Sequence, residues 1–163
     1  LIIKIKNSIL WAILFSILPG FETRIGIPII YNNIQNLGIL FWVYFSLLVC
    51  LNGLVVFPVM FFLEFAHDHL LNWKLYKKTF GRFVESKKKT ADKMQDKMHN
   101  MGYIALSLFV AIPFTGTGAY TGSVVAWTLG LSKRKTFLSI LLGVFLASII
   151  TLVLTFLFFS TLS

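Results

Sequence analysis

The sequence predicts an all-α integral membrane protein. It reads as two inverted repeats, each a broken, re-entrant helical hairpin plus one full transmembrane helix, joined by a basic amphipathic cytoplasmic helical segment. Three observations predict this. The chain is 57% hydrophobic and only 13% charged, with a mean hydropathy of +0.82, whereas soluble domains carry about 25% charge. Two apolar runs, residues 39–63 and 136–160, hold no formal charge, and about 20 such residues cross a ~30 Å hydrocarbon core. Two further apolar runs are interrupted by proline and glycine, at LPGFETRIGIP (18–28) and IPFTGTG (112–118).

Taken in order, residues 8–21 form an apolar helix of about four turns, too short to span. Pro19 and Gly20 end it, because proline lacks a donor and clashes with the preceding turn. A helix resumes over 25–34, Pro28 is expected as a structural hairpin break alongside Pro19, Gly20 and Pro113, and Asn32, Asn33, Gln35, Asn36 and Gly38 mark the return to water. The run 39–63 spans, with Asn52-Gly53 as a helix contact and Pro58 as a mild kink that neighbouring helices can re-satisfy. In residues 64–100, Trp73, Tyr76, Phe80, Phe83, Ala91, Met94, Met98 and Met101 recur at helical spacing with Lys and Arg opposite. That pattern fits a helix or helix pair on the membrane surface; a solvated linker is the plainer alternative. Pro113 ends a half-helix, and Thr115-Gly116-Thr117-Gly118 forms a turn with a threonine N-cap for the next. Gly118, Gly122, Ala126 and Gly130 then make a smooth face at every fourth residue. The expected organisation is a single membrane domain: first repeat 1–65, linker 66–100, second repeat 101–163.

The net charge is +9. Nine of the fifteen basic residues lie between Lys74 and Lys97, beside apolar segments, and Lys133, Arg134 and Lys135 form a second cluster. This placement fits the positive-inside pattern and attraction to anionic lipid headgroups, rather than nucleic acid. The N-terminal run resembles a signal peptide but lacks a small-x-small cleavage site, so it is expected to be retained. Cys50 is the single cysteine and lies mid-segment.

Shifted by 94 residues, Leu18-Pro19 falls on Ile112-Pro113, and the spanning runs end together at Phe65 and Phe159. If both basic clusters face the cytoplasm, the two broken segments dip into the membrane from opposite sides, as in inverted-repeat transporters. The competing layout is four ordinary spans, with Lys133, Arg134 and Lys135 outside. Lys4 and Lys6 favour that one.

Glu22 and Arg24 are the charges within the apolar segments, and each costs roughly 2.5–3.5 kcal/mol at bilayer depth. Arg24 offers a planar fork for phosphate or carboxylate. Half-helix N-termini add positive partial charge at the tips, and Thr115, Gly116, Thr117 and Gly118 add hydroxyls and accessible backbone N–H groups. The set suits an anionic group, with Glu22 as the proton carrier. The plainer alternative is that Glu22 and Arg24 only hold the hairpin together. A lipophilic-cation site built on Glu22 is a rival that Arg24 opposes. Glu64, His67 and His69 contain one Glu-x-x-His without a second copy, so an interfacial polar cluster is expected rather than a metal site. No nucleophile-base order or phosphate loop is present, so no enzyme and no cofactor are expected. A non-transporting scaffold or helix-interaction protein is a further alternative.

LPGFETRIGIP followed by AIPFTGTGAYTG resembles the small multidrug export protein family of bacteria and archaea, over about residues 14–159. That family is itself similar to the DedA/VTT superfamily. The resemblance implies a multi-pass protein of the cell (inner) membrane that moves a small-molecule or lipid substrate, with protons and membrane lipids as partners and a homo-oligomer as an option. It implies that Glu22 and Arg24 match the hairpin acid and base and that Thr115, Gly116, Thr117 and Gly118 match the second tip. DedA proteins carry further arginines near the second hairpin, and this chain has none between Gly102 and Leu131. The expected activity is proton-coupled translocation of an amphipathic or anionic-headgroup substrate; the alternative is flipping or scrambling of undecaprenyl phosphate, as in DedA relatives.

Overall fold

The computed structural model describes residues 2–34, 38–70, 96–114 and 116–162. The expected surface stripe from Trp73 to Met94 and the tip residue Thr115 lie outside the described residues. Those described form seven helices and no strand: α1 (Ile2–Ile17), α2 (Glu22–Ile34), α3 (Ile39–Leu54), α4 (Val56–Leu70), α5 (Asp96–Ala111), α6 (Ala119–Thr128) and α7 (Lys133–Leu162).

The breaks follow local chemistry. α1 ends at Ile17, before Pro19, and Gly20 takes φ 86, a left-handed value that a residue without Cβ adopts freely. α2 starts at Glu22, three residues earlier than the charge pattern predicts, because an acidic residue is favourable in the first turn of a helix. It continues through Pro28, which is therefore not a break. α3 and α4 form one apolar stretch, Ile39–His67, interrupted at Val55, three residues before Pro58. The proline leaves a carbonyl one turn back without its donor, which accounts for the interruption. α6 closes with Gly130 at φ 70. The Gly130 N–H donates to Trp127 O and the Leu131 N–H to Ala126 O, both at 3.0 Å, which is a Schellman cap. Gly130 thus ends the helix instead of extending the small-residue face.

α3–α4 and α7 are each long and apolar enough to cross a membrane, with Lys133–Thr161 the second stretch. α1 and α5 contribute only shorter apolar helices, Ile5–Ile17 and Met101–Ala111. Polarity is turned inside out along α7. Thr136, Ser139, Ser148, Thr151 and Thr155 are buried, while Leu138, Leu142, Phe156 and Phe158 are more than half exposed. A surface of this kind is stable only against lipid or another apolar face.

α1 packs on α2, and α5 packs on α7. α2 also lies against α7 and α3, and α6 against α4, so the two halves interlock. At one end of the bundle, Lys133 Nζ lies 2.7 Å from Glu64 Oε2. There too the Tyr103 hydroxyl lies 3.1 Å from Ser132 Oγ. The far end of α4 and the starts of α5 and α7 therefore share that end. Elsewhere the Tyr31 ring meets Phe41 at 6.2 Å and Phe159 at 5.8 Å, joining the end of α2 to the start of α3 and the end of α7.

The α5–α7 contact depends on Gly143. A Cβ there would stand 2.6 Å from Ser107 O and 2.7 Å from Val110 Cβ. Gly143→Val is expected to destabilise the protein by about 1–3 kcal/mol or more through overpacking. The check is a lowered thermal midpoint in detergent micelles; an unchanged midpoint would mean that α5 can move aside.

Candidate functional site

The two breaks meet, and the residues around them complete each other's helix ends. α6 begins after Gly118, which has no side chain to cap it, so the expected threonine N-cap is absent. The cap comes from the other hairpin. The Glu22 carboxylate lies against the backbone N–H groups of Ala119 and Tyr120, the first residues of α6. It is only 5% exposed. A carboxylate there satisfies donors that the helix itself leaves unpaired and complements the positive end of its dipole. Glu22 holds φ 53, a left-handed value rare for a residue with a Cβ, at a strain cost of order 1–3 kcal/mol. Gly118 makes the approach possible, since a Cβ at this position would overlap the Glu22 carboxylate.

Arg24, two residues further along α2, serves the opposite kind of helix end. Its Nη1 donates to Phe114 O, and its Nη2 donates to Ile112 O at 3.2 Å and to Thr117 Oγ1 at 3.1 Å. The Thr117 hydroxyl in turn lies 2.7 Å from Ile112 O and 2.9 Å from Phe114 O. These carbonyls follow the C-terminus of α5, where a cation is favoured. The fork reaches several acceptors at once because it is planar and pre-organised. Its Nε is buried without a partner. Glu22 and Arg24 each reach across to the second half of the chain while staying close enough to attract each other electrostatically.

The second half returns the contact. The Tyr120 hydroxyl donates to Ile17 O at the end of α1. Asn52, fully buried beside the kink, donates from Nδ2 to Ser16 O at 2.8 Å. Behind Glu22, Thr23 and Ser148 share a buried hydroxyl contact of 3.1 Å.

Of the residues expected at the site, Glu22, Arg24, Thr117 and Gly118 come together. Gly116 sits on the exposed turn with φ 97 and open space beside it. Pro19, Gly20 and Pro113 lie at the tips, and Pro28 lies inside α2. Tyr120, Thr23 and Ser148 were not singled out by sequence. The hint for Thr23 is its place between the two charges. Tyr120 has no comparable signal, since an aromatic in an apolar run is ordinarily packing. Elsewhere, Glu64 carries the ion pair to Lys133, and the His67 ring meets Trp127 edge-on at 5.3 Å.

No curated protein and no solved structure matches the chain. A family match runs over residues 22–150, from Glu22 itself through the second tip and into α7. With that stretch covering well over half of its length, the chain belongs to the family described as "Putative small multi-drug export protein".

Proposed function

We propose that the protein is a proton-coupled exporter of the cell (inner) membrane. It moves an amphipathic or anionic-headgroup molecule past the junction of two oppositely oriented re-entrant hairpins. The observation that carries this reading is the pair of charges held between two broken helices, Glu22 on the N-terminus of α6 and Arg24 on the carbonyls after α5. Half-helix ends facing each other beside buried charge are the working parts of many inverted-repeat transporters. The second tip's Thr115, Gly116, Thr117 and Gly118 complete the proposed site. Charge-assisted hydrogen bonds are roughly twice as strong as neutral ones. A proton on Glu22 removes that advantage and loosens the grip on α6. The tips then part, and Arg24 is free to exchange backbone carbonyls for the substrate's anionic group.

The inverted, re-entrant layout draws support from the Glu64–Lys133 pair, because it ties the start of α7 to the end of α4, on the side of the basic linker. Residues with positive φ at Glu22 and Gly116, 94 positions apart like Pro19 and Pro113, support the internal repeat. A cysteine at Arg134, in a Cys50→Ser background, is expected to react with impermeant maleimide only from the cytoplasmic face. Reaction from outside would overturn the re-entrant layout in favour of four full spans.

The transport reading is tested in proteoliposomes. Glu22→Gln keeps the shape of the side chain and is expected to abolish substrate-driven proton flux while the protein still folds. Wild-type flux from that variant would sink the proton role. A second reading, translocation of a lipid phosphate, is favoured by the exposed Phe21 and Phe114 that flank the charges at the tips, where acyl chains would lie. Fluorescent lipid-phosphate flipping without drug-driven proton flux would select it; neither activity would leave a scaffold.

A further inference from the structure

Away from the hairpin junction, a groove of about 500 Å³ runs between α3 and α7. Its walls are apolar: Phe45, Val49, Leu141, Leu142 and Phe145, with the exposed Cys50 at one side. Leu138 closes one end of this groove, and the same leucine lines a second, more polar recess of about 430 Å³ with Tyr103, Lys135 and Ser139. Lys135 Nζ stands 5.7 Å from the centre of the Tyr103 ring. The neighbouring Lys133 is already paired with Glu64, whereas Lys135 has no carboxylate partner among the described residues.

We infer that this double recess seats one anionic phospholipid, with its phosphate at Lys135 and an acyl chain in the groove. Three features select that occupant. The charge at the mouth is positive and held by an aromatic face, and the first turn of α7 adds positive partial charge beside it. The groove below is apolar apart from the Ser46 hydroxyl, so an extended protein segment would leave most of its amides unpaired. The length also fits. Lys135 to Phe145 is a rise of about 15 Å along the helix, which equals half of the ~30 Å hydrocarbon core, the depth of one leaflet. The seat shares no residue with the Glu22–Arg24 junction, so it stands or falls independently of the transport reading.

The single cysteine is a built-in reporter. The full chain in zwitterionic detergent micelles is alkylated with N-ethylmaleimide, with added phosphatidylglycerol, phosphatidylcholine or soluble glycerol phosphate. Phosphatidylglycerol is expected to slow alkylation about fivefold more than phosphatidylcholine, the factor that ~1 kcal/mol per lysine near an anionic headgroup is worth. Lys135→Gln should reduce that protection to the phosphatidylcholine level, while Lys6→Gln, at a distant basic position, should leave it intact. An unchanged lipid-free rate in Lys135→Gln shows that the groove has kept its shape; if the rate changes, Lys135→Arg, expected to retain protection, takes its place. Equal slowing by both phospholipids, slowing by neither, or slowing by glycerol phosphate alone would each overturn the proposal.

Discussion

Alanine at Gly118 is expected to unseat the junction. The added methyl would occupy the space of the Glu22 carboxylate, so the carboxylate must leave the Ala119 and Tyr120 N–H groups. Overpacking alone costs about 1–3 kcal/mol, and leaving a buried charge without its partners costs about 3–5 kcal/mol. The expected loss is therefore at least ~3 kcal/mol. At roughly 2–4 °C per kcal/mol for a chain of this size, that is on the order of 10 °C in thermal midpoint. The sharper result lies in the double variant. Once Glu22→Ala has removed the carboxylate, alanine at position 118 no longer meets the three atoms nearest to it, and its added cost should fall below about 1 kcal/mol. Contacting residues show this non-additivity and distant ones do not. An undiminished cost of Gly118→Ala in the Glu22→Ala background would mean that the glycine is needed for some other reason.

Arg24→Lys is expected to behave almost like Arg24→Ala. A lysine keeps the charge, but its single ammonium cannot reach Phe114 O, Ile112 O and Thr117 Oγ1 together, as the guanidinium does. Hydrogen bonds to charged groups are worth about 1.5–3 kcal/mol each, so the loss of two of them lowers stability by at least ~3 kcal/mol. Transport should fall about tenfold or more, because arginine and lysine are not interchangeable where a planar fork makes several bonds. A fully active Arg24→Lys protein would reduce the role of Arg24 to charge alone.

The helical class and the two spanning stretches were legible because an unbroken apolar run has one physical reading. The location of the breaks was legible as well: Pro19-Gly20 and Pro113 interrupt helices wherever they fall. That the tips meet was an expectation drawn from the repeat. What stayed hidden were the partners. Glu22 and Arg24 read as a proton and anion site, with a pair that only holds one hairpin as the plainer alternative, and neither reading named the two helix ends of the other half that they reach. Such caps join residues about 90 positions apart and leave no mark in local sequence. The N-cap of α6 was misplaced for the same reason. A threonine nearby is the local solution, and the chain uses a glutamate from α2. Asn52-Gly53 was readable as a helix contact because a small residue and an amide in an apolar run serve little else. Tyr120 was not, because its hydroxyl matters only once α1 ends beside it.

That last bond sets a schedule for biosynthesis. The carbonyl of Ile17 receives its donor from a residue 103 positions later. At ~5–20 residues per second, the ribosome delivers it on the order of 5–20 s after the acceptor has been made. Throughout that wait the first hairpin carries an open carbonyl end and two formal charges that lipid does not tolerate. The first half of the chain therefore waits on the second for the donor that closes its helix end.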